Sequence, residues 1–85
     1  MKEIEIGKVT HYYTKIGVAA IKILKDGLKV GDKIHIKGHT TDLIQFIDSM
    51  QKEHQVIEIA KEGDEIGVKV IEHVREGDIV YKVEE

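Results

Sequence analysis

The sequence contains no cysteine, no proline and no tryptophan, and aromatic residues make up 5% of its 85 residues. Without cysteine there are no disulfides and no thiolate ligands, so a hydrophobic core must stabilise the fold alone. An apolar N-terminal run and long uncharged stretches are also missing. We therefore expect a cytoplasmic protein with no signal peptide and no membrane partner.

A positive net charge is missing as well. The formal net charge is −3, whereas proteins that bind nucleic acid through its phosphates usually present a basic face. Any RNA contact would have to be local, and a face that gathers lysines would favour it. The candidates for such a face are Lys15, Lys22, Lys25 and Lys52.

Catalytic motifs are absent too. No Gly-x-x-x-x-Gly-Lys-Ser/Thr occurs, which excludes the phosphate loop of a GTPase. Ser49 is the single serine and does not lie in Gly-x-Ser-x-Gly. The five histidines lack the spacing of a zinc site, and His35 is expected on the outer face of a strand between Lys33 and Lys37. The sequence predicts that the protein is not an enzyme and has no catalytic residue, metal, cofactor or nucleotide ligand.

A repeated turn signal is the clearest feature that the sequence does contain. Three Gly-Asp pairs each precede a run in which apolar and polar residues alternate: Gly31-Asp32, Gly63-Asp64 and Gly77-Asp78. Glycine accepts a positive φ, and an aspartate side chain binds nearby backbone amides. Each pair therefore predicts a turn that opens a β-strand.

The remaining segments extend this all-β pattern. Alternation in residues 4–13 predicts a first strand bent at Gly7, and residues 18–24 predict a second strand. The turn signal Lys25-Asp26-Gly27 is expected to join that second strand to residues 28–30 as a hairpin. About six short strands in so small a chain favour a closed or nearly closed antiparallel β-barrel that forms one domain over residues 1–85.

Residues 40–52, TTDLIQFIDSMQK, fit two structures. Their apolar members fall at helical spacing, and Asp42 with Gln45 has the form of a capping box. The same residues also alternate as a twisted strand with a bulge. The local pattern therefore leaves helix and strand open.

Three stretches, in this order, carry a family resemblance: IKILKDGLKVGDKIHIKG, SMQKEHQVIEIAKEGDEIGVKV and REGDIVYKV. Together they resemble the second domain of translational GTPases such as elongation factor Tu and initiation factor two. They are also similar to small stand-alone elongation-factor-like proteins and to the barrel that ends some collagenase-like peptidases. The resemblance implies a closed antiparallel β-barrel of about six to seven strands and makes residues 42–51 a strand.

The resemblance also implies a function. In the translation factors this domain helps to hold the aminoacyl end of tRNA, so the chain is expected to be a non-catalytic module that binds RNA, either tRNA or the ribosome. Lys52 and His54 fall at the loop that would contact the RNA. The alternative is a protein-interaction barrel that serves a separately encoded partner enzyme. The acidic net charge favours this alternative.

Overall fold

The computed structural model describes residues 2–84, so Met1 and Glu85 of the predicted domain lie outside the described residues. Residues 2–84 contain no helix, and therefore none that is long and apolar enough to cross a membrane. The predicted all-β class is confirmed. The ten strands are β1 (Lys2–Tyr13), β2 (Val18–Ile23), β3 (Gly27–Lys29), β4 (Lys33–Lys37), β5 (Asp42–Phe46), β6 (Met50–Lys52), β7 (Gln55–Ile57), β8 (Ile59–Lys61), β9 (Glu65–Lys69) and β10 (Ile79–Glu84).

Eight strands form one antiparallel sheet in the order β5-β4-β10-β1-β2-β9-β6-β7, and β3 pairs with β8 in a second sheet. The structure does not show the closure of the predicted six- to seven-stranded barrel: β5 and β7 end the strand order and do not pair with each other within the described residues. A backbone hydrogen bond from Val30 to Glu58 (3.0 Å) joins the two segments that adjoin β3 and β8, and one from Gly31 to Ile47 (2.9 Å) connects the chain after β3 to the end of β5 in the large sheet.

The two sheets share one hydrophobic core. Ala19, Ile21 and Ile23 are fully buried and alternate with partly exposed residues along β2. Ile34 and Ile36 of β4 are fully buried as well. Burial of each isoleucine contributes about 1.5–3 kcal/mol relative to an exposed side chain, which is how a chain without disulfides is held together.

The three Gly-Asp pairs form the same turn, as the sequence predicts. In each, the aspartate carboxylate accepts a hydrogen bond of 2.8–2.9 Å from the backbone N–H three residues earlier, and the aspartate N–H donates to the carbonyl of that residue at 3.0 Å. The glycines have φ between +93° and +97°, a region that favours glycine. Strands β4, β9 and β10 begin directly after Asp32, Asp64 and Asp78.

Residues 42–46 and 50–52 form two strands, with residues 47–49 between them. The segment is extended, as the resemblance implies for residues 42–51, but it is not a single strand, and the helix is not formed. Leu43 of β5 is buried while Ile44 and Phe46 are exposed. Ile47 is buried on the same face as Leu43, and the alternation breaks only at the exposed Ser49, before β6 begins at the buried Met50. This break, together with the outward-facing apolar Phe46, gives the apolar positions their helix-like spacing.

The predicted hairpin between β2 and residues 28–30 is wrong. β2 pairs with β1 and β9, whereas β3 pairs with β8. The chain leaves β2 across the end of β1, because the N–H groups of Leu24 and Lys25 both donate to Ile6 O, at 2.7 and 3.2 Å. The bend predicted at Gly7 is present as a register shift between Glu5 and Gly7 in the β1–β10 ladder.

Candidate functional site

The hairpin of β6 and β7 carries both predicted contact residues. Lys52 pairs with Gln55, so Glu53 and His54 alone make the turn. Both have positive φ, 51° and 66°, as a two-residue type I′ turn requires, although that turn favours Asn and Gly. Beside this tip lies a cleft of about 730 Å³, lined also by residues of β1, β2 and β9 and of the β1–β2 turn. We call it the hairpin cleft.

The floor of the hairpin cleft is low because two small residues face each other on neighbouring strands. The register aligns His11 of β1, Ala20 of β2, Gly67 of β9 and Gln51 of β6 in one row across the sheet. Ala20 and Gly67 occupy the middle of this row. A glycine inside a strand often marks a place where another group approaches the backbone closely.

The wall on the β1 side is largely apolar. Tyr13 and Ile16 are exposed large hydrophobic residues. The ring of Tyr13 meets the ring of His11 edge-on, with centroids 4.5 Å apart and planes at 66°, an arrangement that aromatic rings prefer. The N–H of Gly17 donates to Tyr13 O at 2.9 Å. A short hydrogen-bonded turn therefore positions this wall.

The opposite side of the cleft is acidic. Lys52 Nζ donates to Asp64 Oδ1 at 2.8 Å. This bond, together with one from the backbone N–H of Lys61, lowers the pKa of Asp64, and the same bond raises the pKa of Lys52. Both groups are thus charged at neutral pH and neutralise each other. Because Glu53 and Glu65 also line the cleft, the described lining carries an excess of negative charge.

This arrangement is unfavourable for a phosphate ligand. The structure brings Lys52 and His54 together at the cleft, but Asp64 already neutralises the ammonium of Lys52. Lys22, a second member of the expected lysine face, donates to Gly63 O at 2.9 Å. That Lys52 and His54 contact a ligand stays a prediction.

His35 is buried, at 8% exposure, whereas the sequence places it on the outer face. The reason is that Glu3 of β1 and Asp42 of β5 close over its ring, with oxygens 2.9 Å from Nδ1 and 2.5 Å from Nε2. Within residues 2–84 no group of three or more His, Asp or Glu side chains is placed to hold a metal ion.

A second hollow, of about 590 Å³, lies beside the small sheet and the end of β10. Its lining includes three lysines and three carboxylates: Asp26, Lys29, Asp32, Lys61, Lys82 and Glu84. The carboxylate of Asp32 is held in its turn by the N–H of Lys29 at 2.9 Å. Since the described charges balance, the hollow favours neither sign of ligand, and the hairpin cleft is the stronger candidate.

Comparison with known proteins identifies the fold. No protein-family profile matches the chain. Among solved structures it is similar to the C-terminal domain of a putative U32 peptidase from Geobacillus thermoleovorans, with a TM-score of 0.87 and 18% identity over 95% of this chain and 93% of that one. The chain has the fold of that peptidase domain. The selenomethionine variant of the same domain gives a TM-score of 0.83 over 89% of this chain.

The curated relatives are named as proteases. The chain is 47% identical over 85 residues to an uncharacterized protease of Methanocaldococcus jannaschii and 37% identical over 82 residues to a collagenase of Porphyromonas gingivalis. These matches cover 99% and 95% of this chain but 21% and 20% of the two relatives. The chain therefore spans about a fifth of the length of the curated relatives it matches.

These comparisons overturn the predicted kinship with translation factors, and with it the predicted RNA-binding function. The similar proteins are proteases and a domain of a peptidase. The Gly-Asp turns are not evidence of kinship, because unrelated β-folds use the same local turn at the start of a strand. The comparisons support the other resemblance, to the barrel that ends collagenase-like peptidases, and favour the alternative function, a protein-interaction module.

Sequence reasoning misses the floor and the aromatic wall of the hairpin cleft. Gly67, inside a strand with clean alternation, was an available signal for the floor. The local pattern does not say which strands lie beside β1, so it does not place His11 and Tyr13 at a cleft with β9 and β6. The register between strands, and not the composition of any one of them, assembles this site.

Proposed function

We propose that this chain is a non-catalytic protein-interaction module that docks on a peptidase through the hairpin cleft. The observation that carries the proposal is the match of nearly the whole chain to about a fifth of two proteases. When such a module is part of a larger enzyme, the surface nearest to it is that of the rest of the enzyme. That surface is therefore the first candidate for the partner of the module. That peptidase is either joined to the module or encoded separately.

The chemistry of the cleft defines the segment that docks there. The wall of Tyr13 and Ile16 and the low floor at Ala20 and Gly67 suit an apolar side chain, as the buried centre of an interface does. The carboxylate of Glu65, whose Oε2 accepts a hydrogen bond from Thr10 Oγ1 at 2.7 Å, favours a basic residue of the partner at the rim. We infer a partner segment in which an apolar side chain lies next to Lys or Arg.

Three further parts complete the proposal. The module is non-catalytic because Ser49 lies in no nucleophile motif and Asp64, a carboxylate of the cleft, is paired with Lys52 instead of serving as a base. The two sheets together form an incomplete barrel, which differs from the predicted barrel in that it is not closed. A cytoplasmic location stays a prediction.

The test is a chimera in which this chain replaces the matched residues of the Methanocaldococcus jannaschii protease. Backbone hydrogen exchange is measured for the chain alone and within the chimera. Docking through the hairpin cleft predicts slower exchange of residues 11–16 and 51–56 in the chimera. Ala20→Arg, which fills the floor, should restore the exchange rates of the isolated chain. Leu24→Arg changes an exposed apolar residue outside the cleft and should not.

Equal exchange of residues 11–16 and 51–56 in the two settings would contradict the proposal, provided that the chimera unfolds cooperatively. Protection confined to another face would support docking but reject the hairpin cleft as its surface.

A further inference from the structure

The outer edge of β5 carries backbone groups that are available for pairing. β5 is a terminal strand of the eight-stranded sheet. The N–H of Ile47 donates to Asp32 O at 2.8 Å, on the side of β4, and the backbone groups of an antiparallel strand point alternately to its two sides. The groups that face away from β4 are therefore those of Asp42, Ile44 and Phe46.

The side chain of Gln45 occupies the space beside this edge. Its Nε2 donates to Lys69 O at 2.9 Å, and its Oε1 accepts from the N–H of Ile71 at 2.9 Å. A longer contact of 3.4 Å joins the same Nε2 to Phe46 O on the edge of β5. The amide thus bonds to backbone on both sides of the space between β5 and residues 69–71, which we call the β5 gap.

A glutamine amide has the same donor and acceptor as a peptide group. Gln45 donates to one backbone carbonyl and accepts from a backbone N–H two residues further on, which are groups that a neighbouring strand would use. Among the described residues, β5 and residues 69–71 have no direct backbone pairing. The amide therefore takes the place of a strand, and the backbone beside it is already arranged to bind one.

Exposed apolar side chains flank the β5 gap. Ile44 is 43% exposed, Phe46 60% and Ile71 69%. Their combined exposed surface is on the order of a few hundred Å², the size of a functional patch on a monomer. It is smaller than the roughly 800 Å² per partner that a stable interface between two folded proteins buries. The patch therefore fits a single strand better than a second copy of this chain.

We propose that the β5 gap binds one extended strand of a partner protein, which displaces the Gln45 amide and pairs with β5. The backbone groups of Asp42, Ile44 and Phe46 gain partners from the strand, and alternate apolar side chains of the strand cover the exposed patch. This inference rests on the proposed function only for the source of the strand, which is a segment of the peptidase.

Short peptides test the gap without any peptidase. The probes are capped peptides of about six residues in which Val alternates with Thr, Ile with Lys, or Ile with Glu, and scrambled peptides of the same composition are the controls. Each is added to isotope-labelled protein up to about 1 mM and followed by NMR. With at least one alternating peptide, the backbone amides of Asp42, Ile44, Phe46 and Ile71 are expected to shift and to exchange more slowly.

Two variants separate strand binding from other causes of a shift. Ile44→Pro removes an outward N–H and leaves the ladder to β4 intact, so the peptide shifts should disappear while the spectrum remains that of a folded protein. Gln45→Ala removes the competing amide, so the strand should bind roughly tenfold more tightly. If the role of Gln45 were structural only, its removal would lower stability without raising the affinity for peptide.

Absence of shifts at these amides with all three alternating peptides, in both the wild-type protein and Gln45→Ala, would overturn the inference. So would binding that Ile44→Pro leaves unchanged, because the peptide would then bind elsewhere. Neither outcome bears on docking through the hairpin cleft, since no peptidase is present and the chimera tests that surface separately.

Discussion

His35, Glu3 and Asp42 form a charged network that joins β4 to β1 and β5. Nδ1 of His35 lies 2.9 Å from Oε2 of Glu3, and Nε2 lies 2.5 Å from Oδ1 of Asp42. A neutral imidazole donates through one nitrogen, whereas the imidazolium donates through both. We therefore predict that folding favours the protonated form of His35. The substitution His35→Gln should then lower the free energy of unfolding by an amount that depends on pH.

The sign of the pH dependence follows from the causes of the pKa shift. The hydrogen bond to Asp42 raises the pKa of His35 above its ordinary value of 6.5, burial acts in the opposite direction, and Glu3 adds to the rise. Because the folded-state pKa exceeds the unfolded one, the stabilisation is complete below about pH 6.5 and is lost as the pH rises through the folded-state pKa. The free energy of unfolding should therefore fall as the pH rises above about 6.5.

The magnitude follows from the exposure of the two carboxylates. The Glu3 side chain is 30% exposed, so its bond is taken at about 1.5 kcal/mol, the low end for a hydrogen bond to a charged group. The Asp42 side chain is 71% exposed, so its bond counts as a surface ion pair of up to about 1 kcal/mol. His35→Gln should therefore cost about 2 kcal/mol at a pH where His35 is protonated.

The assay is urea unfolding from about pH 6 to pH 9, followed by circular dichroism, with an NMR titration of the His35 ring as a direct measurement of its pKa. His39→Gln is the control, because His39 is an exposed histidine in the turn between β4 and β5. The wild-type protein and the control should lose stability together as the pH rises. His35→Gln should start about 2 kcal/mol lower and change less with pH.

Either of two results would refute this reasoning. One is a ring titration that places the pKa of His35 at or below its ordinary value. The other is a pH profile of His35→Gln that runs parallel to that of the wild-type protein, which would mean that the lost stability comes from packing and not from the hydrogen bonds that the protonated ring donates to Glu3 and Asp42.

Replacing the hairpin turn Glu53-His54 by Asn-Gly should raise the free energy of unfolding by about 1–2 kcal/mol, because both residues hold positive φ. Thr41→Val should raise it by about 1 kcal/mol, since the buried hydroxyl has no hydrogen-bond partner within residues 2–84. Gly38→Ala should lower it by about 2 kcal/mol, because a Cβ there would lie 1.9 Å from Oδ1 of the buried Asp78. Urea unfolding measures all three changes in the free energy of unfolding. A change of the opposite sign would contradict the structural reason given for that substitution.

The turns that open strands are the part of the fold that sequence predicts best. Gly63 and Asp64 show why, because the positive φ and the bond from the carboxylate to the Lys61 N–H lie within four consecutive residues, and local chemistry is enough to form them. The pairing of β3 with β8 is different. It joins Leu28 to Ala60, which are distant in the chain, so core packing decides it and no turn signal reports it.

The hairpin cleft could not be predicted for the same reason. Ala20 and Gly67 are ordinary strand residues until the register places them side by side. Lys52 is predicted from the sequence to contact RNA, but Asp64 neutralises it. Asp64 belongs to a Gly-Asp turn and its Oδ2 serves that turn, so nothing in the sequence indicates that its other oxygen binds Lys52.

The tip of the hairpin connects stability to the proposed function. The positive φ of Glu53 and His54 costs about 1–2 kcal/mol relative to an Asn-Gly turn, a substantial part of the roughly 5–15 kcal/mol that stabilises a domain. Such strain is typical of binding sites. An Asn-Gly turn relieves it but removes the Glu53 carboxylate and the His54 imidazole from the rim of the cleft. If the cleft docks on a peptidase, that stabilised turn should reduce the protection of residues 11–16 in the chimera. If the turn has only a structural role, the Asn-Gly variant should leave that protection unchanged. A variant that is more stable but shows less protection in the chimera would therefore support a functional role for the strained turn.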